Sequence, residues 1–513
     1  MIDHIVGAQR LRQARRIGRP SRFLSLAIAA FVIFAGLVGA RAVAAQVFSP
    51  PALLSNSVLT DSGEDVRADF STDGAGNWVA VWQSDDTLGG YLGTDNDILF
   101  ARSSDDGATW SKPAALNSNA LTDSGSDEWP EVSTDGAGTW IAVWSSYEDV
   151  GGEIGTDQDI LVARSIDNGA TWSAPVALNT NADSDSGRDE EPQLTTDGAG
   201  NWVVVWWSED DLEGAIGTDR DILVARSANN GHTWFPPEYL NSTAEGDSGH
   251  DSDPEVATDG SGNWVTVWRS NQNIGGNGTD YAIVVSRSTD YGANWSAAAV
   301  MNANEGNETD RNPVVHTDGA GTWITVWESQ ENLTSAGNDY DIFFSRSTDD
   351  GATWSNSVLL NSSAIGDSGD DQFPQVQAGG AGHWVAAWHS TDDLTTTIGS
   401  DLDVLVATST DDGLTWSSVA PLNSNAGSDA GDDGYPQLAT DSAGNWVAVW
   451  HADDEHGSAL SLDNDIIMAH STDLGATWTD PEPLNRNAWR DDPTADYDPE
   501  LATDGAGNWI AVW

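Results

Sequence analysis

The chain of 513 residues contains no cysteine. A disulfide framework is therefore excluded, and stability must come from packing or from bound ions. It holds a single lysine, Lys112, and 20 basic residues against 81 acidic ones, a formal net charge of −61. A polyanion of that size repels phosphate backbones and anionic lipid, which argues against nucleic acid as a partner. No helix-period segment follows residue 45, and no glycine-rich phosphate loop is present, because the glycines recur in short turn-like phrases. What the chain does have is 52 Gly and 26 Trp, the latter outnumbering its 8 Tyr and 10 Phe together.

The first 45 residues do not share this composition. Six arginines from Arg10 to Arg22 form a basic head, followed by the apolar run "FLSLAIAAFVIFAGLVGA" (23–40) and the small residues of "RAVAAQ". That is the order of a secretory signal. The run is also near the minimum that spans a bilayer, so an uncleaved segment would be the expected membrane attachment. The expected division is residues 1–45 as signal or anchor and 46–513 as the exported part, secreted, periplasmic or at the cell surface. The exported part keeps 13 basic and 80 acidic residues, a net −67.

An eight-residue phrase dominates that part. It reads "SSDDGATW" (103–110), "SIDNGATW" (165–172), "SANNGHTW" (227–234), "STDYGANW" (288–295), "STDDGATW" (347–354), "STDDGLTW" (409–416) and "STDLGATW" (471–478). Its closing residues, Trp110, Trp172, Trp234, Trp295, Trp354, Trp416 and Trp478, are spaced by 62, 62, 61, 59, 62 and 62 positions. A second phrase, "TDGAGNWVAVW" (72–82), recurs in eight versions. A fixed period over most of a chain signals a repeat architecture. Within residues 129–179, "WPEVST", "WIAVWSS", "DILVARS" and "TWSAPVALN" read as four strands separated by turns, the first opened by Pro130. Four short antiparallel strands per repeat, arranged radially, make an all-β fold, the β-propeller.

The phrase has the chemistry of a turn staple. Asp105, Asp167, Asp290, Asp349, Asp411 and Asp473 can accept backbone N–H bonds, Ser103 and its equivalents can join them, and Gly107 and its equivalents supply positive φ. Asn229 replaces the aspartate and Asn294 the threonine in two copies, which suits a staple and not a catalytic acid. The phrase resembles the Asp-box, or BNR repeat, of sialidase-like propellers. The resemblance covers residues 48–513 and implies that fold. It also implies a scaffold role for the boxes, which in that family lie on the rim away from the cleft.

Seven units are complete, at 66–117, 129–179, 190–241, 253–302, 312–361, 373–423 and 435–485. Residues 47–66 align with 109–128 as a lone fourth strand, and the sequence stops after the second strand of an eighth unit. The expectation is an eight-bladed ring whose sequence is cut short. Seven blades with surplus end strands is the competing count.

Topology sorts the loops into two faces. One carries both fixed phrases; the other carries variable acidic loops such as "SDDTLGGYLGTDND" (84–97) and "SEDDLEGAIGTDRD" (208–221). Function belongs on variable loops over a rigid scaffold. The pairs Asp95/Asp97, Asp157/Asp159 and Asp219/Asp221 are candidate Ca²⁺ ligands, an oxygen-rich set without an EF-hand loop. The alternative is that the second aspartate of each pair starts strand three and bonds the loop backbone. "HADDEH" (451–456) is the densest histidine group and reads as a solvated loop. Arg102, Arg164, Arg226, Arg287 and Arg346 share one repeat position and read as structural, whereas Arg67, Arg188, Arg220, Arg269, Arg311, Arg486 and Arg490 are scattered and without a motif.

Sialidases grip a carboxylate with three arginines, one in an Arg-Ile-Pro motif, and use an Asp acid/base with a Tyr–Glu pair. The nearest match, "RIGRP" (16–20), falls in the signal segment. No catalytic residue is assigned on this basis. The functional expectation is a non-catalytic module that binds an extracellular glycan or protein through its acidic loop face, with a sialidase-like exo-glycosidase as the alternative.

Overall fold

The computed structural model describes residues 63–513 together with Phe48, Ser49 and Leu54, except for loop segments of which the longest are 242–247, 302–308, 333–338, 362–367, 454–463 and 485–495. The expected signal segment lies outside the described residues. Residues Gln46–Trp513 form one compact unit.

The first blade shows the plan. Asp65–Thr72, Trp78–Ser84, Asp97–Ser103 and Ala114–Ala115 pair in that order as an antiparallel sheet. The "TDGAGNW" phrase makes the hairpin between the first two strands. Asp73 Oδ1 accepts from the Ala75 and Asn77 amides at 2.8 and 3.0 Å, and Gly74 takes φ +66. The same plan recurs with first strands at Asp127–Thr134, Asp189–Thr196, Asp251–Thr258, Asp310–Thr317, Asp371–Gly380 and Asp433–Thr440, giving seven four-stranded blades. A two-stranded eighth sheet, Glu500–Thr503 with Trp509–Val512, completes the set.

Each first strand lies against the first strand of the next blade, and Glu500–Thr503 lies against both Asp433–Thr440 and Asp65–Thr72. The ring is therefore closed, with the first strands around its axis. Phe48 packs on a cluster shared by the seventh blade and the eighth sheet (Val447, Val449, Leu501, Trp509), as Trp478 packs on the seam one blade earlier. Leu54 packs on the cluster joining the eighth sheet to the first blade. These two residues occupy the places of a box tryptophan and a fourth-strand leucine, as the expected N-terminal closing strand requires.

The core lies between the blades and not at the axis. Second strands such as Trp202–Ser208 are buried along their full length because neighbouring blades cover both faces. Ile141, Val143 and Ile160 of one blade pack on Trp202, Val204 and Trp206 of the next, with the box residue Trp234 half-buried at the edge. An indole removing about 200 Å² from water gains about 5 kcal/mol before entropy is counted. The repeated tryptophans therefore carry much of the inter-blade adhesion.

The box behaves as a staple. Asp105 Oδ1 accepts from Ser103 Oγ and the Thr109 amide, both at 2.8 Å, and Oδ2 accepts from Thr109 Oγ1 at 2.7 Å. These bonds hold the Asp105 carboxyl below its ordinary range. Asn229 keeps the pattern in the third blade, taking the Ser227 hydroxyl on Oδ1 and donating from Nδ2 to Thr233 Oγ1 at 2.8 Å. The arginines at the fixed repeat position extend the staple across blades: Arg102, Arg164 and Arg346 donate to the backbone carbonyls of Asn168, Asn230 and Asp412 in the following box.

Two local expectations need correction. The fourth strand is only two residues long, as at Val176–Ala177, and Trp172 precedes it. In four blades Pro113, Pro175, Pro237 or Pro481 sits just before this strand, where it removes an amide donor. Pro130 does not open the first strand either, which begins at Asp127; Pro130 lies within the bulge between Glu128 and Glu131. The bulge leaves an unpaired backbone position, the one place in the strand where proline costs no ladder bond.

Candidate functional site

That bulge builds the site. In each four-stranded blade the residue at the bulge has positive φ: Arg67 (54°), Trp129 (55°), Glu191 (56°), Asp253 (54°), Asn312 (51°), Phe373 (52°) and Tyr435 (54°); Asp498 (48°), just before the eighth sheet, takes the same conformation. Seven of the eight precede proline. Such a conformation costs about 1–2 kcal/mol for a non-glycine residue. Here it recurs at the start of every first strand, on the loop face and next to the axis. The flanking phrases are nearly constant, yet these eight positions hold seven residue types, with only aspartate used twice.

They meet their neighbours around the axis. The Arg67 guanidinium lies 3.3 Å from the centroid of the Trp129 ring. The Glu191 carboxyl is raised first by burial and then by the charge of Asp253. Asp253 is likewise raised by burial and accepts a bond from the Asn312 backbone. The Phe373 and Tyr435 rings lie 4.5 Å apart. Asp498 acts electrostatically on Arg67, which closes the circle. This is the mouth of the axial channel.

The second strands supply a second tier. The residue between the second tryptophan and the closing serine or alanine is Gln83, Ser145, Trp207, Arg269, Glu328, His389 or His451, different in all but the last two blades. Together the tiers form two sectors. In the aromatic sector, His389 lies 5.1 Å from both Phe373 and Tyr435, and His451 lies 5.1 Å from Tyr435 and 5.4 Å from Tyr497. His389 Nδ1 accepts from the Tyr435 amide at 3.2 Å, which leaves the proton of the neutral ring on Nε2. Burial lowers the pKa of His389 to about 4 and also lowers that of His451. Gly434 makes room for the pair, since a Cβ there would lie 3.3 Å from each imidazole.

In the charged sector every arginine has an internal partner. Arg188 bonds Glu209 at 3.1 Å and Glu190 at 3.2 Å, and Arg220 bonds Glu209 at 3.3 Å. Arg269 bonds Asp253 at 2.9 Å, and Arg311 bonds Glu328 at 2.8 Å. Arg220 also lies 3.9 Å from the Trp207 ring and Arg311 4.0 Å from the Tyr340 ring. Burial raises Glu328 to about 7 against the pull of Arg311.

One step deeper along the first strands runs a half-buried belt of Asp69, Glu131, Gln193, Glu255, Val314, Gln375, Gln437 and Glu500. Asp69 Oδ2 accepts from the Val132 amide at 2.6 Å, and Gln193 and Gln437 donate to Glu131 and Glu500, each at 3.4 Å. Burial raises Asp69 and Glu255 to about 7 and Glu500 to about 8, with the charge of Asp253 adding to it at Glu255 and those of Asp69, Asp498 and Glu255 at Glu500.

The candidate cation ligands fall elsewhere. Asp97, Asp159 and Asp221 each start a third strand, are buried, and accept from the asparagine closing the same blade: Asn117 at 2.9 Å, Asn179 at 2.5 Å, and Asn241. Asn117 also donates to Asp127 of the following blade at 2.8 Å, so this asparagine clips a seam. Asp95 lies in the loop before it, with Oδ1 accepting from the Thr94 amide at 3.1 Å. Burial raises Asp159 to about 7, with Asp157 adding to it; Asp219 is the equivalent loop residue two positions before Asp221. Among the described residues, no group of three or more His, Asp or Glu side chains is disposed to hold a metal ion.

The loop face expected from the sequence carries both tiers around the axis, and most of their residues were not among the expected site residues. Arg67, Arg188, Arg220, Arg269 and Arg311, scattered along the chain, gather in one sector; Arg486 and Arg490 lie outside the described residues. His451 is not part of a solvated loop but is buried among aromatic rings; His456 lies outside the described residues. Aligning the repeats and asking which columns vary, at the residue before proline and at the residue after the second tryptophan, would have exposed the site.

Residues 262–495 match the family model of the BNR repeat-like domain. No curated protein sequence matches the chain. Among solved structures, a Hadza microbial sialidase is similar at 16% identity and a TM-score of 0.36, over 70% of this chain and 66% of its own. A Penicillium chrysogenum α-L-arabinanase complexed with arabinobiose is similar at 15% identity and 0.38, over 70% and 96%. An ulvan lyase from a polysaccharide lyase family is similar at 12% identity and 0.45, over 79% and 91%. The propeller itself is established by the strand pairing described above.

Proposed function

We propose that this sialidase-like propeller with Asp-box repeats is an exported glycan-binding module, and that its binding site is the axial mouth of the loop face. The observation that carries the reading is the pairing of sectors: the clustered rings of Phe373, Tyr435 and Tyr497 with two neutral imidazoles face a set of fixed, internally bonded polar groups. Pyranose rings are recognised by aromatic faces together with oriented hydrogen-bonding groups, and the mouth offers both. Its eight bulge residues change from blade to blade, as a site for an asymmetric ligand requires. The basic–apolar–small order of the first 45 residues supports export.

The non-catalytic half of the reading rests on access. Glu328, the mouth carboxyl raised to about 7, is fully buried behind Arg311 and Asn312, out of reach of a glycosidic oxygen. The test is binding of a panel of oligosaccharides by calorimetry, with turnover followed in parallel. Tyr435→Ala is expected to weaken binding about tenfold, the loss of one stacking partner. Binding unaffected by Tyr435→Ala and by Trp129→Ala would move the site elsewhere. Glycoside release abolished by Glu191→Gln would establish the exo-glycosidase alternative instead.

A further inference from the structure

The mouth is well supplied with acceptors and has spent its donors. An anionic sugar needs free guanidinium N–H groups, yet Arg188, Arg220, Arg269 and Arg311 are each bonded to a carboxylate of the protein itself. Arg67 lies flat on Trp129 with four acidic residues acting on it. Releasing any of these arginines for a ligand would strand a carboxylate that is already partly desolvated, which costs more than the new bond returns. The acceptors are in the opposite position. His451 is 7% exposed, lies between Tyr435 and Tyr497, and its Nδ1 has no hydrogen-bond partner. Asp432, Asp453 and Asp498 act on the same ring. Below it the belt carries four carboxylates, Asp69, Glu131, Glu255 and Glu500, that repel one another and have only amide or backbone donors.

We infer that the glycan taken by the mouth carries protonated amino groups, as a deacetylated hexosamine oligomer does. This rests on the glycan-binding reading and adds the substrate class. An ammonium has three donors and no acceptor, which is the complement of an unpartnered imidazole nitrogen above a carboxylate belt. Its charge relieves the repulsion within the belt, and the Tyr435 and Tyr497 rings flanking His451 add cation–π attraction as well as stacking. Burial, with the charge of Asp253 at Glu255 and of Asp69, Asp498 and Glu255 at Glu500, raises both carboxyls, so an added positive charge is favoured there.

The test compares three oligomers of equal length by calorimetry on the whole protein in moderate salt: glucosamine, N-acetylglucosamine and galacturonate. The glucosamine oligomer is expected to bind about tenfold tighter than its acetylated form, a difference of about 1.4 kcal/mol. The galacturonate oligomer is expected not to bind. Since any polycation is drawn to an acidic surface, the decisive readout is one site per chain that Glu500→Gln weakens for the amine and leaves unchanged for the acetylated oligomer. Tyr435→Ala should weaken both. An amine oligomer no tighter than the acetylated one, or binding untouched by Glu500→Gln, overturns the inference while Tyr435-dependent binding of the acetylated oligomer preserves the glycan reading. If no oligomer binds in a Tyr435-dependent way, both fail.

Discussion

Replacing Asn423 by alanine tests how the blades are clipped together. Asn423 is fully buried at the end of the sixth blade, and its Nδ2 donates to Asp403 Oδ1 at 2.7 Å and to Asp433 Oδ2 at 2.6 Å. Asp433 belongs to the seventh blade and also accepts from Trp450 Nε1 at 2.7 Å. The alanine variant removes two short bonds to charged acceptors and leaves two buried carboxylates facing each other without their shared donor. Bonds to charged groups contribute about 1.5–3 kcal/mol each, so the expected loss is about 3–5 kcal/mol. An unfolding entropy of about 2.1 cal/mol/K per residue gives about 1 kcal/mol/K for a unit spanning Gln46–Trp513 that melts as one. The melting temperature by calorimetry should therefore fall by about 4 °C, whereas alanine at the exposed Asn356 should change it by less than about 1 °C. The deficit should also be smaller near pH 5 than near pH 8, because the two carboxyls that shared the Asn423 donor can then share a proton. A melting point indistinguishable from the parent, or a deficit that grows on acidification, would refute the clip.

Three further outcomes are expected. Asp69, Asp159, Glu255, Glu328 and Asp341 are raised to about 7 and Glu500 to about 8, with burial the main cause in each. The folded state then holds more protons than the unfolded one between the ordinary carboxylate range and neutrality. Stability should fall as pH rises through that window, and a melting point flat or rising from about pH 5 to about pH 8 would contradict this. Gly351→Ala should destabilise by about 2–4 kcal/mol in denaturant titration, since Gly351 has φ +75 and a Cβ would lie 2.7 Å from Val265 Cγ2 on the neighbouring blade; a loss below about 1 kcal/mol would show that the seam yields. Asp349→Ala should lower the melting point by at least twice as much as Asp349→Asn, because Asn229 already performs the staple in the third blade; equal effects would assign the box a role that depends on its charge.

The scaffold was legible because it is written locally and often. A box closes within eight residues, the "TDGAGNW" hairpin within seven, and both use side-chain bonds to nearby amides that any reader of Asp, Gly and Thr can anticipate. The seven complete units and the partial eighth followed from counting. The closing positions of Phe48 and Leu54 follow from aligning the start of the exported part with a fourth strand. The bulge was not legible, because Trp129-Pro130 reads equally well as the start of a strand. Only the pairing partner, Trp140–Ser146, reveals the extra residue.

The mouth was hidden for a different reason. Trp207 and Arg220 belong to one repeat, but Arg67 and Trp129, Asp253 and Asn312, and Phe373 and Tyr435 each come from different repeats and meet only when the ring brings their blades together. A reading that seeks the constant part of each repeat discards these columns as drift. The physics assigns them the opposite weight. Each four-stranded blade bears the same strain at its bulge, Asp498 bears it before the eighth sheet, and a proline follows in seven of these eight cases, so the backbone there is held irrespective of the side chain. Conformation is thus fixed by ring closure and chemistry is left free, which lets one position hold arginine, tryptophan, glutamate, aspartate, asparagine, phenylalanine or tyrosine with no change of scaffold. If the side chain instead set the conformation, exchanging Phe373 and Asn312 would unfold the ring. The arrangement described here requires that the exchanged protein melt near the parent and differ from it in what it binds.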